Sequence, residues 1–199
     1  MNILMKKFKR MAIQPHQEAS MLVRMVTDSG YKIFTDEQFR ESINFEKEKR
    51  EEQDRIWNEI AATGLIFLLS FLDDYLKADD SSRRPFWAEV RNEIIPEFIK
   101  WLEELKIPDE FVEIWKKLID LRMEEFKDKR KITFDMLEKE FSDGDTLELR
   151  NTFIRLRTLS ISGSSHITRG DDQKIVKLKK HLTAWLGALN LKLAEGIGY

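Results

Sequence analysis

The sequence predicts an all-α protein, a single-domain bundle of about six to eight helices over its 199 residues. Apolar residues recur every three or four positions and nowhere alternate over a strand's length, which is the period of a helix face and not of a pleated sheet. Only 8 glycines and 4 prolines punctuate the chain, so turns are few and the segments between them long. A hydrophobic fraction of 42%, with 5 tryptophans and 13 phenylalanines, supplies a core that needs no disulfide or metal staple.

Residues 1–14 read as a flexible basic amphipathic arm, in which Lys6, Lys7, Lys9 and Arg10 mix with Leu4, Phe8 and Met11. A first helix is expected from His16 to Asp28, with Met21, Leu22 and Met25 along one side and Gly30 placed to end it. Thr35 and Gln38 have capping-box spacing, so a long helix should begin there and run, with a break, to Leu76. Within it, Glu46 and Arg50, and Glu51 and Arg55, are spaced for i,i+4 pairing. From Ile60 to Leu72 the run IAATGLIFLLSFL leaves no polar face, as expected of a central helix enclosed by others. It falls short of the roughly 20 apolar residues that span a bilayer.

Lys77 to Arg84 is the expected inter-helix loop, and Pro85 suits the first turn of the next helix, where no amide donor is needed. That helix carries a stripe from Phe86 to Leu105, with Pro96 expected to kink or divide it. Pro108 opens another helix through Phe126, entered by a tight antiparallel turn. A short helix from Thr133 to Phe141, a turn over Ser142 to Asp145 and a helix beginning near Leu147 should follow. Residues 160–172, SISGSSHITRGDD, read as a long flexible loop because serine and glycine offer little apolar burial. The final helix places Ile175, Leu178, Leu182, Trp185, Leu189 and Leu193 mainly three and four apart, with Gly187 read as a point of close approach.

With 34 basic and 36 acidic residues the net charge is -2, which gives no global attraction to nucleic acid or an anionic membrane. Any basic site must be local. The absence of cysteine excludes disulfides, thiolate metal sites and cysteine nucleophiles, and a cytoplasmic location is expected. No cofactor is expected either, because no histidine pair shares a helical face and no glycine-rich loop precedes a Lys-Ser or Lys-Thr pair.

Three constellations are candidates for chemistry or binding. Asp73 and Asp74, with Asp79 and Asp80 close behind, are hard oxygen ligands of the kind that hold magnesium for phosphate chemistry. Their order is similar to the DDxxD motif of terpenoid synthases, except that Lys77 stands where the third carboxylate belongs. Arg150, Arg155, Arg157, His166 and Arg169 form a basic group able to contact phosphate or RNA electrostatically. Trp185, Leu186, Leu189 and Leu193 belong to an apolar surface wider than a terminal helix needs, which points to a homodimer. Because no catalytic motif is complete, the expected function is a non-catalytic interaction or regulatory module that binds another macromolecule, a protein before a nucleic acid. The alternative is a phosphate- or RNA-directed enzyme built on Asp73 and Asp74 or on the arginine cluster.

Overall fold

The computed structural model describes residues 13–78, 82–142 and 144–197. They form α1 (Pro15–Phe34), α2 (Glu37–Ile43), α3 (Arg50–Ala78), α4 (Arg84–Glu104), α5 (Asp109–Leu137), α6 (Leu147–Thr168) and α7 (Asp172–Ile197), with single 3-10 turns at Phe45–Lys47 and Glu138–Glu140. The fold is all-α, with no strand among the described residues. The expected arm falls largely outside them.

The apolar run of α3 makes it the axis, because a helix without a polar face is stable in water only when others enclose it. Helices α1, α4, α5, α6 and α7 all pack on α3, while α1 pairs closely with α4 and α6 with α7. Ile60, Leu65, Phe67, Leu68 and Leu72 are fully buried there. Among the described helices, α3 is the one long and apolar enough to cross a bilayer, being longer than the apolar run alone. Of its most apolar window, 83% is buried inside the protein, which is the enclosure expected from the sequence.

Several boundaries differ from the expectation. Helix α1 passes through Gly30 and ends six residues past Asp28, at Phe34. Gly30 is a contact point, since a Cβ there would lie 3.4 Å from Ile60 and 3.7 Å from Trp185. The cap of α2 is Asp36, whose carboxylate accepts from the Phe39 amide at 2.8 Å, while Thr35 ends α1 by donating its hydroxyl to the Tyr31 carbonyl. The expected long helix is split, because Asn44 takes the left-handed conformation (φ 56°) and closes α2. Glu46 therefore pairs with Arg40, and Arg55 with Glu52, instead of the i,i+4 partners read from the sequence. Pro96 lies inside α4 without dividing it, and the two helices expected between Pro108 and Phe141 are the single helix α5 up to Leu137. Of the Lys77 to Arg84 loop, residues 79–81 lie outside the described residues.

The loop expected at 160–172 is helix as far as Thr168. Ser160, Ser162, Gly163 and Ser164 are buried on the side where α6 meets α3 and α7. A Cβ at Gly163 would approach Thr63 Oγ1 to 3.0 Å and Leu182 to 3.1 Å, so small residues set how closely the helices pack. The hydroxyls are satisfied inside the helix: Ser162 donates to the Thr158 carbonyl at 3.0 Å, Ser164 to Ser160 at 2.6 Å and Thr168 to Ser164 at 2.8 Å. Arg169 (φ 52°) and Gly170 (φ 81°) then turn the chain, and Asp171 caps α7 by accepting from the Gln173 and Lys174 amides.

The apolar seam of α7 is consumed by this chain. Trp185, Leu186, Leu189 and Leu193 are all buried, and the Trp185 indole donates to Ser29 at 2.8 Å. These residues face inward and offer nothing to a second copy, which corrects the interface expected there. Gly187 faces open space, where an added Cβ would meet no atom within 4 Å, so it is not a point of close approach.

Candidate functional site: a donor-lined cavity at the end of helix α3

The two aspartates at the end of the apolar run diverge. A helix turns about 100° per residue, so adjacent side chains take different neighbours. Asp73 is half-buried and accepts from Arg91 of α4, with Nε at 2.8 Å and Nη2 at 3.4 Å. Asp74 is buried, 8% exposed, and faces α5 and α6. There it accepts from Arg155 Nη1 at 2.7 Å, while Arg130 Nη2 lies 2.9 and 3.0 Å from its two oxygens. With each carboxylate held by guanidinium, the pair does not form a common magnesium site. Among the described residues no group of three or more His, Asp and Glu is placed to hold a metal.

Arg155, only 2% exposed, sits where a polar residue is costly, and its surroundings show how the cost is met. Its planar guanidinium lies 5.2 Å from the Phe67 ring and 5.0 Å from the Phe71 ring, and it donates to Asp74, to Asn190 Oδ1 at 2.8 Å and to Thr152. Arg130 donates in addition to Asn151 Oδ1 at 3.0 Å. Because a guanidinium only donates, the atom that each asparagine presents to it must be the carbonyl oxygen. The two amide nitrogens are left pointing elsewhere, and neither makes a hydrogen bond among the described residues.

These groups line a cavity of about 290 Å³ between α3, α5, α6 and α7. Its polar wall is Asp74, Arg130, Asn151, Thr152, Arg155 and Asn190; its apolar wall is Phe71, Tyr75, Ala78 and Ala194, with Leu147 at the exposed mouth. Arginines occupy the asparagine carbonyls and one Asp74 oxygen of this wall, and Lys77 and the Glu148 carboxylate complete the charged lining.

The rest of the arginine cluster is dispersed along α6, whose length spreads Arg150 and Arg169 about 28 Å apart at 1.5 Å per residue. Arg150 stacks on Phe141 and donates to the Ser142 carbonyl, tying down the turn between α5 and α6. Arg157 makes no side-chain bond among the described residues. Arg169 pairs with Glu52, which also holds Arg55, and the Arg55 hydrogen bond with help from Arg169 brings the Glu52 carboxyl down to about 2. Arg55 in turn donates to the His166 and Ile167 carbonyls and so caps the C-terminal end of α6.

His166 belongs to a second polar cluster at the other end of α3. Burial, followed by the nearby Arg122 charge, pushes its imidazole below the ordinary histidine value, so at neutral pH it is uncharged and donates Nε2–H to Glu125 at 2.7 Å. Arg122 bridges Glu125 and the buried Glu59, with Nε and Nη2 at 2.9 and 2.6 Å from the two Glu59 oxygens. Every member of this cluster has its partner, and it ties α3, α5 and α6 together as a structural joint.

Sequence reasoning thus found Asp74 and Arg155 in separate candidates that the fold brings together. It missed Arg130 and Asn190. A polar residue among Leu186, Leu189 and Leu193 was the signal for Asn190; nothing marks Arg130 among the many charges of α5. Comparison with protein families, characterised proteins and solved structures finds no match to this chain.

Proposed function

We propose that this protein is a non-catalytic helical binding module that recognises an anionic group in the cavity at the end of α3. One observation carries the reading: the Arg130 and Arg155 guanidiniums converge on one buried carboxylate at a cavity wall, where the Asn151 and Asn190 amide nitrogens make no hydrogen bond among the described residues. A partly enclosed site of this kind strengthens charge-assisted hydrogen bonds to a carboxylate or phosphate oxygen. The expected test result is a melting temperature that climbs with the logarithm of acetate or phenyl phosphate concentration at constant ionic strength, with phenyl phosphate recovered unchanged. Arg130→Met should abolish the climb. Equal shifts in the variant and the parent, or none in either, would remove the cavity from consideration.

A protein partner is the second reading, favoured by a stripe on the outer side of α5. Phe111, Ile114 and Leu121 are exposed there, with Leu118 between them, at the three- and four-residue spacing of one helix face. Unlike the seam of α7, this face is not covered by the described residues of the chain. If a second copy covers it, light scattering over a concentration series will show a dimer that Ile114→Lys with Leu121→Lys dissociates; a monomer at every concentration would exclude self-association by this stripe.

A further inference from the structure

Resting on the reading of the exposed α5 stripe as a docking face for a protein, we infer that its partner is an amphipathic helix of another protein, bordered by basic, acidic and basic side chains at seven-residue spacing. A second copy of this chain does not fit, and the charges beside the stripe say what does.

Phe111, Ile114 and Leu121 are 48%, 57% and 56% exposed, with Leu118 half-buried among them. Steps of three, four and three residues make one seam, and a second helix laid along it would cover all four side chains. On its inner border the stripe meets the core, since Trp115 is buried and Arg122 is held by Glu59. Its outer border is Glu110, Lys117 and Glu124, which stand seven apart and therefore in one row along the helix. All three are exposed, and none makes an ion pair among the described residues. Neighbouring charges are paired within the chain, Lys116 with Glu113 and Lys129 with Glu125.

Two copies cannot satisfy the stripe and the row together. Antiparallel α5 helices that match their apolar side chains set Phe111 against Leu121 and Ile114 against Leu118, and the same register brings Lys117 beside Lys117 and Glu110 beside Glu124. Sliding one helix by a heptad brings Lys117 beside Glu124, but Phe111 then faces Asp128 and Ile114 faces Glu125. Parallel helices in register bring Lys117 beside Arg122. Like charges set together oppose association, whereas a helix of another protein can carry the opposite sign at each position of the row. Basic, acidic, basic reads the same in both directions, so the row accepts such a helix in either orientation.

Fluorescence anisotropy of two labelled synthetic helices, each of about three heptads, tests this against the full chain. Both carry leucine at the seam positions; at the bordering positions the matched peptide reads Lys, Glu, Lys and the reversed peptide Glu, Lys, Glu. The matched peptide should bind at least about tenfold more tightly at low ionic strength, and salt should shrink the ratio. Glu110→Lys, Lys117→Glu and Glu124→Lys together, all at exposed positions, should reverse the preference. Ile114→Lys with Leu121→Lys should abolish binding of both peptides. Equal binding of the two peptides, or a preference that the triple substitution leaves in place, would overturn the inference and keep the stripe as a docking face, provided the double substitution removes the binding. A dimer in light scattering that the double substitution dissociates would make a second copy the occupant and overturn it too. So would matched binding seen only after Leu4→Asp with Phe8→Asp, which makes the N-terminal segment the occupant. Binding that the double substitution leaves unchanged, or binding of neither peptide by any of these chains, would overturn the inference together with the docking face.

Discussion

Leu68→Asp is expected to leave no folded protein. Leu68 is fully buried in the middle of α3, and its neighbours Leu65, Ile66, Phe67, Leu69 and Leu72 are buried on all sides of the same helix, so an aspartate has no wet direction to turn to. Removing a buried leucine side chain alone costs about 2.7–5 kcal/mol. Burying a carboxylate with no cation in reach adds several more, whether the group stays charged, takes up a proton or draws water into the core. Against a total stability of about 5–15 kcal/mol for a domain, the sum leaves little or nothing. The variant should appear in the insoluble fraction, or as a species without a cooperative thermal transition by circular dichroism. A soluble variant melting at the parental temperature would mean that α3 has a solvent-facing side and that the bundle is not built around it.

That helix was legible because its signal is unconditional: a run of apolar residues too long for one face has to be surrounded. Other segments were legible only in part, since the same residue types serve opposite ends. Ser160, Ser162, Gly163 and Ser164 have the composition of a loop, yet small side chains are also what lets α6 lie close on Thr63 and Leu182, and helical carbonyls satisfy the serine hydroxyls. Gly30 has the composition of a helix stop and acts as a contact point beneath Ile60 and Trp185. The breadth of the α7 seam was visible, but whether a second chain or this one covers it is a question of topology, which periodicity does not encode. Topology also decides the site. Asp74 and Arg155 are 81 residues apart, and each belongs to a different candidate in the sequence until the packing of α3 against α6 buries the pair.

Asp74→Ala is expected to destabilise the protein by about 3–5 kcal/mol, because it leaves two guanidiniums facing each other with their shared counter-charge gone. The adjacent Asp73→Ala serves as the internal control. Its pair with Arg91 is half-exposed on both sides, and such pairs contribute about 1 kcal/mol or less after solvent screening. Two neighbouring aspartates of one helix should therefore differ several-fold in what their loss costs, and the difference reports burial together with the second guanidinium that Asp74 holds. The mechanism predicts a second result. Arg155 lies against the Phe67 and Phe71 rings, so Arg155→Leu removes the stranded charge while an apolar side chain fills the same place. Combined with Asp74→Ala, it should recover about 1–3 kcal/mol of the loss, a non-additivity expected of partners in one network. Urea midpoints with unchanged denaturant slopes measure the parent, the three single variants and the double variant on one scale. If Asp74→Ala costs no more than Asp73→Ala, water reaches the guanidiniums freely and the cavity wall lacks the buried positive charge on which anion recognition depends. If the double variant is less stable than Asp74→Ala alone, Arg155 contributes packing that leucine does not replace, and the stranded charge is not the source of the loss.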